Sequence, residues 1–149
     1  MDRLVVVIPV VLVALLAAYA LQRRKPEPPS QPVEHVAPQQ LDRADFVRPD
    51  APWLVAAFTS ATCDTCADMV GKVQILESDE VAVANVEYGA DRKTHDRYHI
   101  TAVPTVVIAD RSGVVHKSFI GPTSASHLWA AVADLREPGS VPEGGCGNH

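Results

Sequence analysis

Cys63 and Cys66 stand two residues apart in Thr62-Cys63-Asp64-Thr65-Cys66, directly after the apolar run at 53–58 and directly before a segment with helical patterning. Two thiols at that spacing on a first helical turn close a small ring with little backbone movement. The N-terminal one lies near the positive end of the helix dipole, a position that favours the thiolate, its nucleophilic form. The chemistry such a pair performs is thiol–disulfide exchange. The same spacing also makes half of many zinc sites, so the surrounding elements have to decide.

Some forty residues downstream, Pro104 opens a run of β-branched residues in Ile100-Thr101-Ala102-Val103-Pro104-Thr105-Val106-Val107-Ile108. Proline cannot donate a ladder bond, so a first-residue position or a cis turn is expected there. Residues 53–58 read as a central strand, 64–76 as the helix carrying the cysteines, and 81–88 as a parallel strand. A short helix follows at 91–98, then strands at 105–109 and 114–120 joined by a turn that Gly113 supplies. Ser124 or Ser126 caps a last helix to 136, whose Leu128, Ala131, Val132 and Leu135 recur at helical spacing.

The cysteine pair, the proline and this element order together resemble the thioredoxin superfamily over residues 38–137, in the form of a membrane-tethered bacterial thioredoxin-like protein. The resemblance implies a three-layer α/β fold, a central mixed sheet flanked by helices. It also implies Cys63 as nucleophile, Cys66 as resolving thiol and Pro104 in the cis form opposite them. Thr62, Val103 and Pro104 would then bind substrate, with backbone groups around Val103 pairing to an extended segment as an added strand. The redox-active disulfide needs no other cofactor, and no metal is implied. The partners are a protein or small-molecule disulfide and an unnamed electron donor, and a monomer is expected.

Departures from the family bear on rate. Thr62 stands where thioredoxin carries tryptophan, and Asp64-Thr65 replace its Gly-Pro. The buried aspartate that relays protons corresponds to Ala57, and its lysine partner to Asn85. No side chain near Cys66 is an evident base, so a slower exchanger with water in the proton role is expected. A different class of function stays open: a thioredoxin-like redox sensor or binding module that reacts once without turnover.

The chain has 149 residues and a formal net charge of −5, which suits one domain and argues against a nucleic-acid partner. Residues 4–21 form an uncharged apolar run that at ~1.5 Å per residue approaches the thickness of a hydrocarbon core. An N-terminal transmembrane anchor at 1–22 follows. Arg23-Arg24-Lys25 beyond it place the domain in the cytoplasm by the positive-inside rule. Ala18-Tyr19-Ala20 looks like a cleavage site, which keeps an extracytoplasmic or secreted domain as the alternative. Residues 23–37 are a proline-rich linker of roughly 45 Å reach, and 138–149 a Gly- and Pro-rich flexible tail.

That tail ends in Cys146 and His149, a C-x-x-H spacing that would complete a zinc site with the pair or give a third redox thiol; the plainer reading is an incidental thiol on a loose end. His95 and His99 have the spacing of a two-histidine metal face, but no third ligand accompanies them and a solvated helix face is expected. His35, His116 and His127 read as isolated surface residues, and Trp53 and Trp129 as core or edge aromatics. No phosphate loop, Ser-His-Asp order or carboxylate pair is present.

Overall fold

A computed structural model describes residues 36–139, together with Leu12 and Leu16. The anchor, most of the linker, and the tail with Cys146 and His149 lie outside the described residues. No helix among the described residues is long and apolar enough to cross a membrane.

Strand β1 (Trp53–Thr59) is the centre of a four-stranded sheet of order β2-β1-β3-β4. It pairs in parallel with β2 (Val81–Glu87) and antiparallel with β3 (Thr105–Asp110), which pairs antiparallel with β4 (Val115–Ile120). From Leu54 to Phe58 every β1 residue is fully buried, which accounts for a continuous apolar run rather than an alternating one. Its period of two sends Leu54, Ala56 and Phe58 to one face and Val55 and Ala57 to the other.

Helices α1 (Cys66–Gln74) and α3 (Ala125–Arg136) cover the second face through Met69 and Val73, and through Leu128 and Val132. On the first face, helix α2 (Arg92–Arg97), a 3-10 turn at Arg43–Asp45 and Tyr98 close the core. Phe46, Phe58 and Tyr98 meet there with ring centroids 5.8–6.5 Å apart. The three layers expected around a mixed sheet are therefore present. Ser124, not Ser126, is the cap of α3, its side chain accepting from the N–H of His127.

Helix α1 is shorter than the expected 64–76. Residues 63–65 form a turn instead, and the last turn tightens as the N–H groups of Leu76 and Glu77 reach Val73 and Gln74. His95 does not lie on a solvated face. It is 2 % exposed, edge-on to Phe58 and Tyr88 at 5.4 and 5.3 Å, with Nε2 2.8 Å from the Val86 carbonyl oxygen. A six-residue helix laid flat on the sheet buries one polar side chain, and the free carbonyl at the edge strand supplies its partner.

Arg43 is likewise buried, donating through Nη1 to the carbonyls of Ala51 and Asp110 and through Nη2 to that of Arg48. It ties the irregular segment before β1 to the end of β3. The β3–β4 hairpin closes over the same region. Gly113, at φ +84°, places its Cα where a Cβ would stand 2.0 Å from the Leu41 carbonyl oxygen, so only glycine fits.

Asp110 holds that hairpin together. Its Oδ1 accepts from the Ser112 hydroxyl and from the N–H groups of Ser112 and Val114, while Oδ2 accepts from His116 Nε2 at 2.7 Å. His116 is thus an exposed but partnered residue, edge-on to Trp53. Partial burial raises the Asp110 carboxyl, but these hydrogen bonds together outweigh it and hold it down to about 2.

The folded value lies below the unfolded one, so this stabilisation is complete above about pH 4 and is lost as pH falls through about 2. Urea unfolding should show about 1–2 kcal/mol less pH-dependent loss between pH 5 and 2 for Asp110→Asn than for the unaltered chain. Equal losses in the two would contradict the role assigned to Asp110.

Candidate functional site

The site begins where β1 ends. Beyond Thr59 the chain leaves the sheet, and successive backbone bonds wind it towards the helix: Cys63 N–H to the Ser60 carbonyl at 3.1 Å, Cys66 N–H to that of Cys63 at 3.3 Å, and Met69 N–H to that of Thr65 at 3.1 Å. Cys63 therefore sits in a turn and Cys66 is the first residue of α1. The two are joined in a disulfide with Cα atoms 5.4 Å apart.

The sulfurs are unequally exposed. Cys66 is 3 % exposed, whereas Cys63 is half-buried and open to an approaching group. An exposed sulfur can meet a second disulfide directly, and a buried one cannot. The Thr65 hydroxyl lies 3.7 Å from Cys63 Sγ. A disulfide sulfur carries no proton, so the hydroxyl is the donor. Asp64, between the cysteines, is exposed.

A cavity of about 330 Å³ lies beside the pair, lined by Thr59, Ser60, Ala61, Asn85 and Glu87 as well as the first turn of α1. Its composition follows from strand periodicity. The parallel register sets Ala57 against Asn85 and Thr59 against Glu87, and the period of two turns these positions towards α1. Thr59 Oγ1 donates to Asn85 Oδ1 at 2.7 Å. Ala57 is fully buried and Asn85 exposed, so the two positions matched to a proton relay do face each other across the strands, without ionisable groups.

Glu87 was missed by sequence reasoning, and it belongs to this cavity. Its Oε1 accepts from the Ala61 N–H at 3.0 Å and its Oε2 from the Ala90 N–H at 2.8 Å. The signal available was its place two residues after Asn85, on the same face of the same strand. The N–H groups of Gly89, Ala61 and Ala90 hold the carboxyl below its ordinary range. A carboxylate so held is a poor general base, so its presence does not supply the missing proton acceptor.

The Val103–Pro104 peptide bond is cis. Pro104 is buried, and its carbonyl accepts from Gly121 N–H at 2.8 Å. Because Thr105 pairs with Phe58, the proline lies across from the end of β1, where the cysteine loop departs. Val103, Pro104 and Thr62 lie outside the lining of the cavity; Val103 is half-buried and Thr62 exposed.

Among the described residues, no group of three His, Cys, Asp or Glu side chains is placed to hold a metal ion. A second groove, about 530 Å³, lies between Leu41, Arg43, Tyr98 and Ser112 and contains no nucleophilic thiol. Its Arg97 is paired with Asp42 and Asp45.

No family model and no curated protein matches the chain. Solved structures do. A thioredoxin variant from Halobacterium salinarum superposes with a TM-score of 0.56 at 22 % identity, covering 72 % of this chain and 98 % of its own. Deadhead, a germline-specific thioredoxin from Drosophila melanogaster, gives 0.51 at 23 % identity over 58 % of this chain and 84 % of its own. A Fasciola hepatica thioredoxin gives 0.50 at 25 % identity over 57 % and 82 %. With its sheet order and flanking helices, the chain has a thioredoxin-like fold.

Proposed function

We propose that this chain is a member of the thioredoxin superfamily that performs thiol–disulfide exchange through the Cys63–Cys66 dithiol. The observation that carries the reading is the unequal exposure of two bonded cysteines at the junction of β1 and α1. In the reduced form, the Cys63 thiolate attacks one sulfur of a substrate disulfide. A mixed disulfide forms and one substrate thiolate leaves. The Cys66 thiol gives its proton to water and attacks Cys63 Sγ. That step releases the second substrate thiolate and restores the Cys63–Cys66 disulfide, two electrons having passed to the substrate.

Thr65 supports the first step. Its hydroxyl, already directed at Cys63 Sγ, stabilises the thiolate by donating to it. Thr62, Val103 and cis-Pro104 form the substrate-binding rim, with backbone at Val103 pairing to an extended segment. Residues 4–21 tether the domain to a membrane, and Arg23-Arg24-Lys25 hold it on the cytoplasmic side. In that compartment the pair works as a reductase recharged by a cellular dithiol.

Insulin reduction in the presence of dithiothreitol checks the activity. Many turnovers per molecule are expected. A single stoichiometric reaction would instead identify a sensor or binding module. Cys63→Ser should abolish turnover, and Cys66→Ser should accumulate mixed disulfides visible by mass spectrometry; turnover retained in Cys63→Ser would overturn the mechanism. Thr65→Val should raise the pH midpoint of Cys63 alkylation by about half a unit. An unmoved midpoint would remove Thr65 from the account.

A further inference from the structure

Among the described residues that line the cavity beside the cysteine pair, Glu87 alone carries a charge. The exchange steps make no use of it. It is nevertheless fixed in place, because the N–H of Ala61 holds one oxygen from the cysteine loop and the N–H of Ala90 holds the other from the loop before α2. The carboxylate is therefore restrained at the solvent-exposed edge of the cavity by two backbone hydrogen bonds.

His95, the basic neighbour that acts on Glu87, is buried with Nε2 at the Val86 carbonyl oxygen, and the charges around them do not cancel the carboxylate. Asp64 between the cysteines and Asp68 on α1 are both exposed and have the same sign. Lys72, the basic residue of α1, is bonded to Asp68 at 2.6 Å and donates to the Thr123 carbonyl. On α2, Arg92 pairs with Asp96, Arg97 with Asp42 and Asp45, and Lys93 is exposed beside Asp91. A disulfide must bring one sulfur to Cys63, so the groups attached to it enter the field of this cavity.

We propose that Glu87 is a specificity-determining residue that favours disulfides carrying positive charge near the sulfur–sulfur bond over those carrying negative charge. The inference rests on the exchange reading above. Its physical basis is Coulombic. A fixed carboxylate acts on a charge that arrives through water, so each unit of substrate charge changes the rate by about 1.5- to 1.8-fold at low ionic strength. A dication and a dianion, four units apart, then differ by about five- to tenfold. The backbone N–H groups of Gly89, Ala61 and Ala90 keep the carboxylate ionised at neutral pH.

The test uses the full chain, reduced with dithiothreitol and desalted, in single-turnover reactions at pH 7 and low salt. The probes are cystamine as dication, 2-hydroxyethyl disulfide as neutral reference and 3,3′-dithiodipropionate as dianion. Each rate is divided by that of free dithiothreitol with the same disulfide. The normalised cystamine to dithiodipropionate ratio should be about five to ten, and should fall by about half or more in Glu87→Gln, with Asp64 and Asp68 accounting for what remains. Raising the salt to about 0.5 M should flatten the ratio in the unaltered chain, a result that does not depend on how the variant folds. Equal rates with all three probes, a ratio unmoved in folded Glu87→Gln, or a ratio indifferent to salt would each overturn the proposal. No reaction with the neutral disulfide would overturn the exchange reading on which it rests.

Discussion

Burial of β1 on both faces is the constraint from which the rest of this domain follows. A strand that is fully buried from Leu54 to Phe58 must be bonded on both edges and covered above and below. Strands β2 and β3 meet the first demand, and α1 with α3 on one side and the Phe46, Phe58 and Tyr98 cluster on the other meet the second. Where that burial ends, just beyond Thr59, the chain must turn outward. The outward turn is the cysteine loop, so the same packing that forms the core sets one sulfur at the surface and leaves the other beneath it. Exchange chemistry needs that inequality.

The electrostatics of the site differ from what the pair's usual neighbours would give. The strand positions that face each other beneath Cys66 hold Ala57 and Asn85, which neither accept nor donate a proton at neutral pH. Two residues further along, Thr59 and Glu87 face each other, and Glu87 is committed to backbone N–H groups. The result is a carboxylate that shapes the loop and the local field without acting as a base. Asp64 adds charge of the same sign at the surface, while the Thr65 hydroxyl works in the opposite sense by donating to the Cys63 sulfur. On the proposed exchange reading, proton transfer from Cys66 falls to water in the cavity at its side.

Much of this was legible in the sequence because the signals were local. The apolar run, the proline before a β-branched strand, Gly113 and the 128–135 periodicity each follow from short-range rules, and each lies in the element expected of it; of the cysteine pair only Cys66 lies in the helix, Cys63 standing in the turn before it. What escaped depends on residues distant in the chain. Glu87 reads as the last residue of an edge strand, and only the β1–β2 register brings it to Ala61, 26 positions away. His95 carries a polar side chain on a charged six-residue segment, so its pattern says surface; a carbonyl at Val86 and two aromatic rings make the interior affordable for it. Arg43 likewise became a core residue because its guanidinium reaches three carbonyls brought together only by the fold, those of Arg48 and Ala51 before β1 and of Asp110 at the end of β3. The start of α1 moved inward because a turn closing on Ser60 supplied bonds that a helical turn would have made, and its end because Leu76 and Glu77 bond three residues back, to Val73 and Gln74.

The central claim is that Cys63 and Cys66 form one reversible two-electron couple with an exposed attacking thiol. Equilibrating the full chain in graded glutathione buffers, trapping with an alkylating reagent and reading Cys63 and Cys66 separately by mass spectrometry tests it most directly. The account predicts that the two thiols appear and disappear together along a single two-electron transition, with Cys63 alkylated much faster than Cys66 in the reduced form. Two thiols that are oxidised independently, or that never pair in any buffer, would contradict it.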